Sequence, residues 1–155
     1  MQANYTTLAR TLDSLTEGET DAVALMATVT AEVFHADDRF DWVGFYRVVA
    51  DRTLKVGPYQ GTHGCLTIPF SQGVCGKCAR EKKTQNVPDV AQIGHHIACS
   101  GTTRSEIVVP MLSAGGDLVA VLDIDSNTAA AFDKTDEACL PRLSKYLRQK
   151  RPGRQ

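Results

Sequence analysis

The chain has 155 residues, 43% of them hydrophobic and 23% charged, ordinary proportions for one compact globular domain with a buried core. Seventeen basic and eighteen acidic residues leave a formal charge of −1, which gives no general electrostatic reason to bind nucleic acid or an anionic membrane. No stretch reaches the roughly 18 consecutive apolar residues of a membrane span, and the start MQANYTTLARTLDSL lacks the basic opening and apolar run of a signal peptide, so the expectation is a cytoplasmic protein. Cys65, Cys75, Cys78, Cys99 and Cys139 are an odd number of thiols. Cytoplasmic thiols are normally reduced, which argues against a static disulfide framework and leaves transient redox chemistry or metal binding as the questions.

Residues 3–14 form a weak helical candidate, separated by EGET from a stronger one. From Asp21 onward, Ala22, Leu25, Met26, Val29 and Val33 follow the i, i+3, i+4, i+7 spacing of one helix face, and Thr20 or Asp21 suits the N-cap. After HADDR, the segments FDWVGFYRVV, TLKVGPYQG and CLTIPF read as three antiparallel strands, the first two joined by the turn ADRT. Residues 73–83 favour a short helix, TQNV a short strand, and residues 88–104 a loop long enough to suggest a function. SEIVVPMLS and LVAVLDIDS flank the turn AGGD and predict a hairpin. A final helix is expected over residues 134–149 with Asp133 as N-cap, while residues 1–4 and 150–155 are expected to fray, the basic tail being a solvated terminus. Hairpin-joined strands with helices at both ends predict an α+β domain on an antiparallel sheet, spanning residues 1–155 without a linker or second domain.

Side chains alternate along a strand, so Val119, Val121, Asp123 and Asp125 share one face and Ala120, Leu122 and Ile124 the other. Both faces are largely apolar, and two carboxylates on a buried face must meet a cation, a proton or hydrogen-bond donors. A substrate site and a structural polar pair both satisfy that demand. Glu106 opens the neighbouring strand, close in sequence to Cys99, and its plain alternative is a strand-edge charge. Trp42, Gly44 and Tyr46 share a face of the first strand, either as core packing or with a gap over the glycine for a small group. Cys75-x-x-Cys78 has zinc-like spacing but no second Cys or His pair at a matching distance. It also lacks the βαβ setting of a thioredoxin-like redox motif, and Cys78 is readable as a core residue.

Taken in order, DWVGFY, GPYQG, CLTIPFSQGVCG, KTQNVPDV, HIAC, RSEIVVP, LVAVLDIDS and FDKTDE closely resemble the free methionine-R-sulfoxide reductases, a family of single GAF domains, over about residues 5–147. The resemblance implies a six-stranded antiparallel sheet flanked by helices and a site closed over by the loop carrying Cys99. It implies reduction of free L-methionine (R)-sulfoxide to methionine, with a thioredoxin-like dithiol donor reopening the resulting disulfide. On the matching positions, Cys99 is the nucleophile, Cys65 the resolving thiol and Cys75 an auxiliary thiol. Trp42 and Tyr46 line the methyl pocket, and Glu106, Asp123 and Asp125 contact substrate. No metal, nucleotide or flavin cofactor is implied, and a homodimer is an unsurprising assembly. The chain departs from the family's usual loop sequence at Ala91, Ile93, Gly94, His95, Ser100 and Gly101, and Cys78 and Cys139 stand outside its pattern.

The chemistry fits those residue types. A sulfoxide becomes electrophilic at sulfur when its oxygen is protonated, so the nucleophile needs an acid beside it, a role suited to Glu106 and Asp125 because crowded carboxylates raise one another's pKa. Attack leaves Cys99 as a sulfenic acid, with which Cys65 condenses. Asp123 is suited to pair with the ammonium of a free amino acid, whereas a methionine sulfoxide inside a protein would bring a neutral amide and leave a buried charge uncompensated. The competing class is a GAF module that senses a small molecule or an oxidised cysteine without turnover, since fold alone does not decide function. Consumption of free methionine sulfoxide with dithiothreitol separates the two.

Overall fold

The computed structural model describes residues 3–94 and 101–148. Helix α1 (Tyr5–Leu15) begins where the side chain of Asn4 accepts a hydrogen bond from the backbone N–H of Thr7 at 3.0 Å, and it buries Leu8 and Leu12. Helix α2 (Ala22–Ala36) is capped by Asp21, whose carboxylate accepts from the N–H of Ala24 at 2.9 Å, and buries Leu25, Met26, Val29 and Val33 along the face that the periodicity predicts.

Strands β1 (Trp42–Ala50), β2 (Thr53–Gln60) and β3 (Thr67–Pro69) form the first antiparallel run, and β5 (Ser105–Leu112) with β6 (Leu118–Ser126) the predicted hairpin. With β4 (Gln85–Val87) they make one six-stranded sheet in the order β3-β2-β1-β6-β5-β4, antiparallel at every pairing. The first and last strands of the β1–β6 pairing are therefore the middle of the sheet, and the hairpin's second strand lies against the chain's first. Helix α3 (Gly73–Glu81) crosses from β3 to β4 and packs on β5 and β6. Residues 88–94 contain a single 3-10 turn, Val90–Gln92, started by Asp89.

Two cores lie on opposite faces of the sheet. The larger gathers Val43, Phe45, Val109, Leu122 and Ile124 beneath α1, α2 and the C-terminal helices; the smaller gathers Trp42, Tyr46, Ile68, Val74, Cys75, Cys78, Val108 and Val121 beneath α3. The segment CLTIPF is less regular than expected: only Thr67–Pro69 is assigned as strand, although Leu66 and Phe70 also hydrogen-bond Val56 and Arg52, and Leu66 is 71% exposed. The C-terminal helix is also not continuous. Helix α4 (Lys134–Cys139) gives way to a 3-10 turn, Leu140–Leu143, and then to α5 (Ser144–Leu147). Pro141 lies in the first turn of that 3-10 segment, where its missing N–H and ring displace the α-helical bond to the preceding turn. No helix among the described residues is long and apolar enough to cross a membrane.

Candidate active site

The antiparallel register assembles the acids. Asp125 lies directly between Trp42 on β1 and Glu106 on β5, and Asp123, one pleat along, lies between Gly44 and Val108. Opposed residues in a ladder project to the same side, so the aromatic strand, the carboxylate pair and Glu106 converge on the face that α3 covers. Glu106 and Asp123 are buried, at 6% and 5% exposed. Oδ1 of Asp123 and Oδ1 of Asp125 are each buried without a hydrogen-bond partner, a costly state for a carboxylate unless a proton or cation compensates it. Burial first, then the neighbouring Asp125 and Glu106, pushes the Asp123 carboxyl well above the usual range. Burial and then Glu106 does the same to Asp125. The crowded, buried carboxyls thus favour the protonated form more than a free aspartate does.

Helix α3 brings a thiol to this cluster. Its buried face is Val74, Cys75, Cys78 and Ala79, and Cys75 offers its sulfur within 4.8 Å of ligand-competent oxygens of Glu106 and Asp123. Burial, then the carboxylates led by Asp123, raises the Cys75 thiol well above its ordinary value, so it stays protonated although it sits in the first turn of a helix. The Cys78 thiol is pushed up to about 12, chiefly by burial, and is fully buried. Of the readings open from sequence, Cys78 is thus the core residue.

The aromatic wall differs from its simplest expectation. The gap over Gly44 is filled by the indole of Trp42 itself: a Cβ on Gly44 would fall 2.4 Å from Cη2 of that ring and 2.6 Å from Cβ of Tyr59. Trp42 stacks on Tyr46 with centroids 5.9 Å apart and on Tyr59 at 5.3 Å, and its Nε1 donates to the carbonyl of Thr62 at 2.7 Å. Tyr59 and Thr62 are the site neighbours that sequence reading missed; the signal for Tyr59 was its cross-strand pairing with Gly44, invisible before the register was known. Burial, then Asp123, raises the Tyr46 phenol, which remains a hydrogen-bond donor.

Cys65 enters beside this wall. The preceding Gly64 comes so near the aromatics that a Cβ there would lie 2.7 Å from Cζ2 of Trp42 and 3.0 Å from the Tyr46 hydroxyl. Cys65 is half-buried against the smaller core and is disulfide-bonded, while Cys75, Cys78 and Cys139 are free thiols. Cys139 is on α4 and lines a separate cavity with α1 residues, away from the acids. Cys99, His95 and Ser100 lie outside the described residues. Next to the cluster, between α3, β4 and the loop after it, a cavity of about 340 Å³ is lined by Val74, Asn86, Val87 and Ile93 among others; Val87 pairs with Glu106. Of the sequence-predicted residues, the fold thus brings together Trp42, Tyr46, Cys65, Cys75, Glu106, Asp123 and Asp125.

Comparison with known proteins identifies relatives of the whole chain. The GAF domain family matches residues 2–147. The chain is 39% identical over 141 residues to a free methionine-R-sulfoxide reductase of Saccharomyces cerevisiae, covering 87% of this chain and 78% of that protein. It is 36% identical over 143 residues to a free methionine-R-sulfoxide reductase of Escherichia coli, covering 92% and 86%. The crystal structure of the Neisseria meningitidis free methionine-R-sulfoxide reductase in complex with its substrate superimposes with a TM-score of 0.86 at 42% identity, over 92% of this chain and 85% of that one.

Proposed function

The chain belongs to the free methionine-R-sulfoxide reductases, a family built on the GAF domain, and on that premise we propose that it reduces free L-methionine (R)-sulfoxide to L-methionine with its own thiols. The observation that carries the reading is the pair of buried, partnerless Oδ1 atoms on Asp123 and Asp125, inside an acid cluster whose carboxyls are pushed up by burial and by one another. A free amino-acid sulfoxide supplies what such a cluster lacks, an ammonium to compensate charge and an oxide oxygen to take a proton. Residues 1–155 act in this reading as one catalytic unit.

The electron count closes on two cysteines. Sγ of Cys99 attacks the sulfoxide sulfur while Glu106 or Asp125 gives a proton to the oxygen. As the hydroxyl moves to Sγ, the S–O bond and the S–S bond formed by the attack both break, methionine leaves as the thioether, Cys99 is left as a sulfenic acid, and the thiol proton returns to the carboxylate that gave its own. Sγ of Cys65 then displaces that oxygen as water, forming the Cys65–Cys99 disulfide, so the sulfoxide has gained the two electrons that the thiols lost. A thioredoxin-like dithiol of the cytoplasm returns both cysteines to thiols by exchange. Cys65 being disulfide-bonded while Cys75, Cys78 and Cys139 are free favours this pairing over one through α3. Trp42 and Tyr46 hold the S-methyl end, and Asp123 holds the ammonium, which excludes methionine sulfoxide in peptide linkage.

The thiol roles are separable by experiment. Cys99→Ala should abolish methionine formation even with excess dithiothreitol. Cys65→Ser should still release about one methionine per chain in a single turnover, because attack at sulfur precedes resolution, yet fail in steady turnover with thioredoxin. Substantial activity in Cys99→Ala, or undiminished thioredoxin turnover in Cys65→Ser with a Cys75–Cys99 bridge by mass mapping, would overturn the assignment. Binding of methionine sulfoxide without any methionine formed by the wild type would sink the reductase reading itself.

A further inference from the structure

Cys75, Glu106 and Asp123 are all buried and present one ligand-competent atom each, all within 4.8 Å of one another. Zinc held at about 2.3 Å from a thiolate and about 2.0–2.2 Å from carboxylate oxygens keeps its ligands roughly 3.3–3.6 Å apart, so contraction by about an ångström closes this set around an ion. Asp123 is only 5% exposed, and its buried Oδ1 has no hydrogen-bond partner. We propose that this pocket binds a zinc-type divalent cation through Cys75 Sγ and the carboxylates of Glu106 and Asp123, as an inhibitory ion and not as a resident cofactor.

The donor set selects among metals. One thiolate with two carboxylates suits Zn²⁺, whereas Mg²⁺ and Ca²⁺ prefer oxygen ligands throughout. Binding replaces the thiol proton of Cys75 and any proton on the carboxyls, released to solvent, with a dication that compensates the crowded anions. This is not the Cys75-x-x-Cys78 spacing, which lacks a second ligand pair: Cys78 takes no part, and the partners of Cys75 come from β5 and β6. Cys75 is a free thiol while Cys65 is disulfide-bonded, so the metal site persists when the redox pair is oxidised. The metal site stands on the three side chains alone. Its inhibitory consequence rests on the reductase reading, because the ion would occupy the place assigned to the substrate's ammonium.

Cobalt(II) titration reads the site directly, through the near-ultraviolet thiolate-to-metal band. One equivalent per chain should produce the band in both reduced and disulfide-oxidised protein, and Zn²⁺ should displace it. Cys75→Ser should lose the band. Asp123→Asn should weaken zinc binding about tenfold or more, as even outer partners of a metal cost that much. Cys78→Ser and Cys139→Ser should bind as the wild type does. Circular dichroism checks that Cys75→Ser is folded, and Asp123→Asn decides the matter if it is not. A band that survives in Cys75→Ser, that requires reduced Cys65, or that never forms at millimolar Co²⁺ overturns the metal site. Excess free methionine sulfoxide should displace the ion. A band that follows Cys75 but resists the sulfoxide removes the inhibitory role and counts against the ammonium subsite, while the metal site stands.

Discussion

Among the described residues, buried carboxylates occur in two places and meet opposite fates. Beside the larger core, Asp37 and Asp136 flank the guanidinium of Arg39: Nε and Nη2 donate to Asp37 at 3.0 and 2.7 Å, and Nη1 and Nη2 donate to Asp136 at 2.9 and 3.1 Å. The Tyr5 hydroxyl adds a bond of 2.5 Å to Asp136, and the backbone N–H of Ala3 one of 2.6 Å to Asp37. Burial pushes both carboxyls up, but Arg39 and the other donors outweigh it and hold them below the ordinary range. On the other face, burial acts on Asp123 and Asp125 together with further carboxylates, and both move up. An aspartate is thus a clamp where a cation and donors converge, and is held toward its protonated form where stronger desolvation and other acids act together.

Removing the cation is the strongest way to break that contrast. Arg39→Ala leaves two carboxylates, 0% and 1% exposed at the side chain, without their counter-charge, and orphaning a buried charge costs about 3–5 kcal/mol. Urea denaturation at neutral pH should show a loss of that size, and the amino-terminal segment, tied through Ala3 and Tyr5, should exchange its amide hydrogens faster. A loss below about 1 kcal/mol would mean that Arg39 is not what holds these acids ionised.

At the acid cluster the expected cost falls on rate and not on folding. Asp125→Asn and Glu106→Gln should each slow the chemical step by roughly 10²-fold or more if the residue delivers the proton, equivalent to about 2.7 kcal/mol of barrier, while leaving the protein folded. Single-turnover kinetics distinguishes this from weakened binding. If both variants raise only the Michaelis constant, the carboxylates orient substrate and another group protonates the oxygen.

How much of this was legible beforehand follows the range of the interactions. Strand alternation placed Asp123 and Asp125 together on one face because that pattern is local, and the AGGD hairpin set them beside Glu106. Family resemblance added the thiol roles, with Cys99 outside the described residues. The clamp at Arg39 was not legible, since Asp136 is 97 residues away in the chain and only the docking of α4 unites them. Cys75 was read as auxiliary; its contact with the acids depends on α3 packing across β5 and β6, a tertiary fact that no spacing encodes. The indole over Gly44 needed the rotamer of Trp42. The break at Pro141 was local and readable, because proline inside a helical pattern ends or kinks it, but the apolar spacing on either side concealed it.

The smallest expected effect is also the one with an unusual sign, a gain of stability from deleting a charge. The folded pKa of Asp123 lies well above its ordinary value of 3.8, so above about pH 4 this group holds more proton in the folded chain than in the unfolded one. Stability from this group is therefore fully present at low pH and is lost as pH rises toward the folded pKa. Asn at position 123 keeps the shape, can donate a hydrogen bond to Asp125 or Glu106, and cannot ionise. Asp123→Asn should then match the wild type near pH 4 and exceed it at pH 8 by on the order of 1 kcal/mol, the scale seen when buried charges are replaced. Asp136, whose folded pKa is lowered, contributes in the opposite direction: its stabilisation is present at neutral pH and lost on acidification. Urea midpoints at pH 4, 6 and 8 for Asp123→Asn and Asp136→Asn test the pair. Curves that diverge with opposite signs support the contrast between clamp and acid cluster, whereas a destabilised Asp123→Asn at pH 8 would show that its carboxylate is compensated in the unliganded fold.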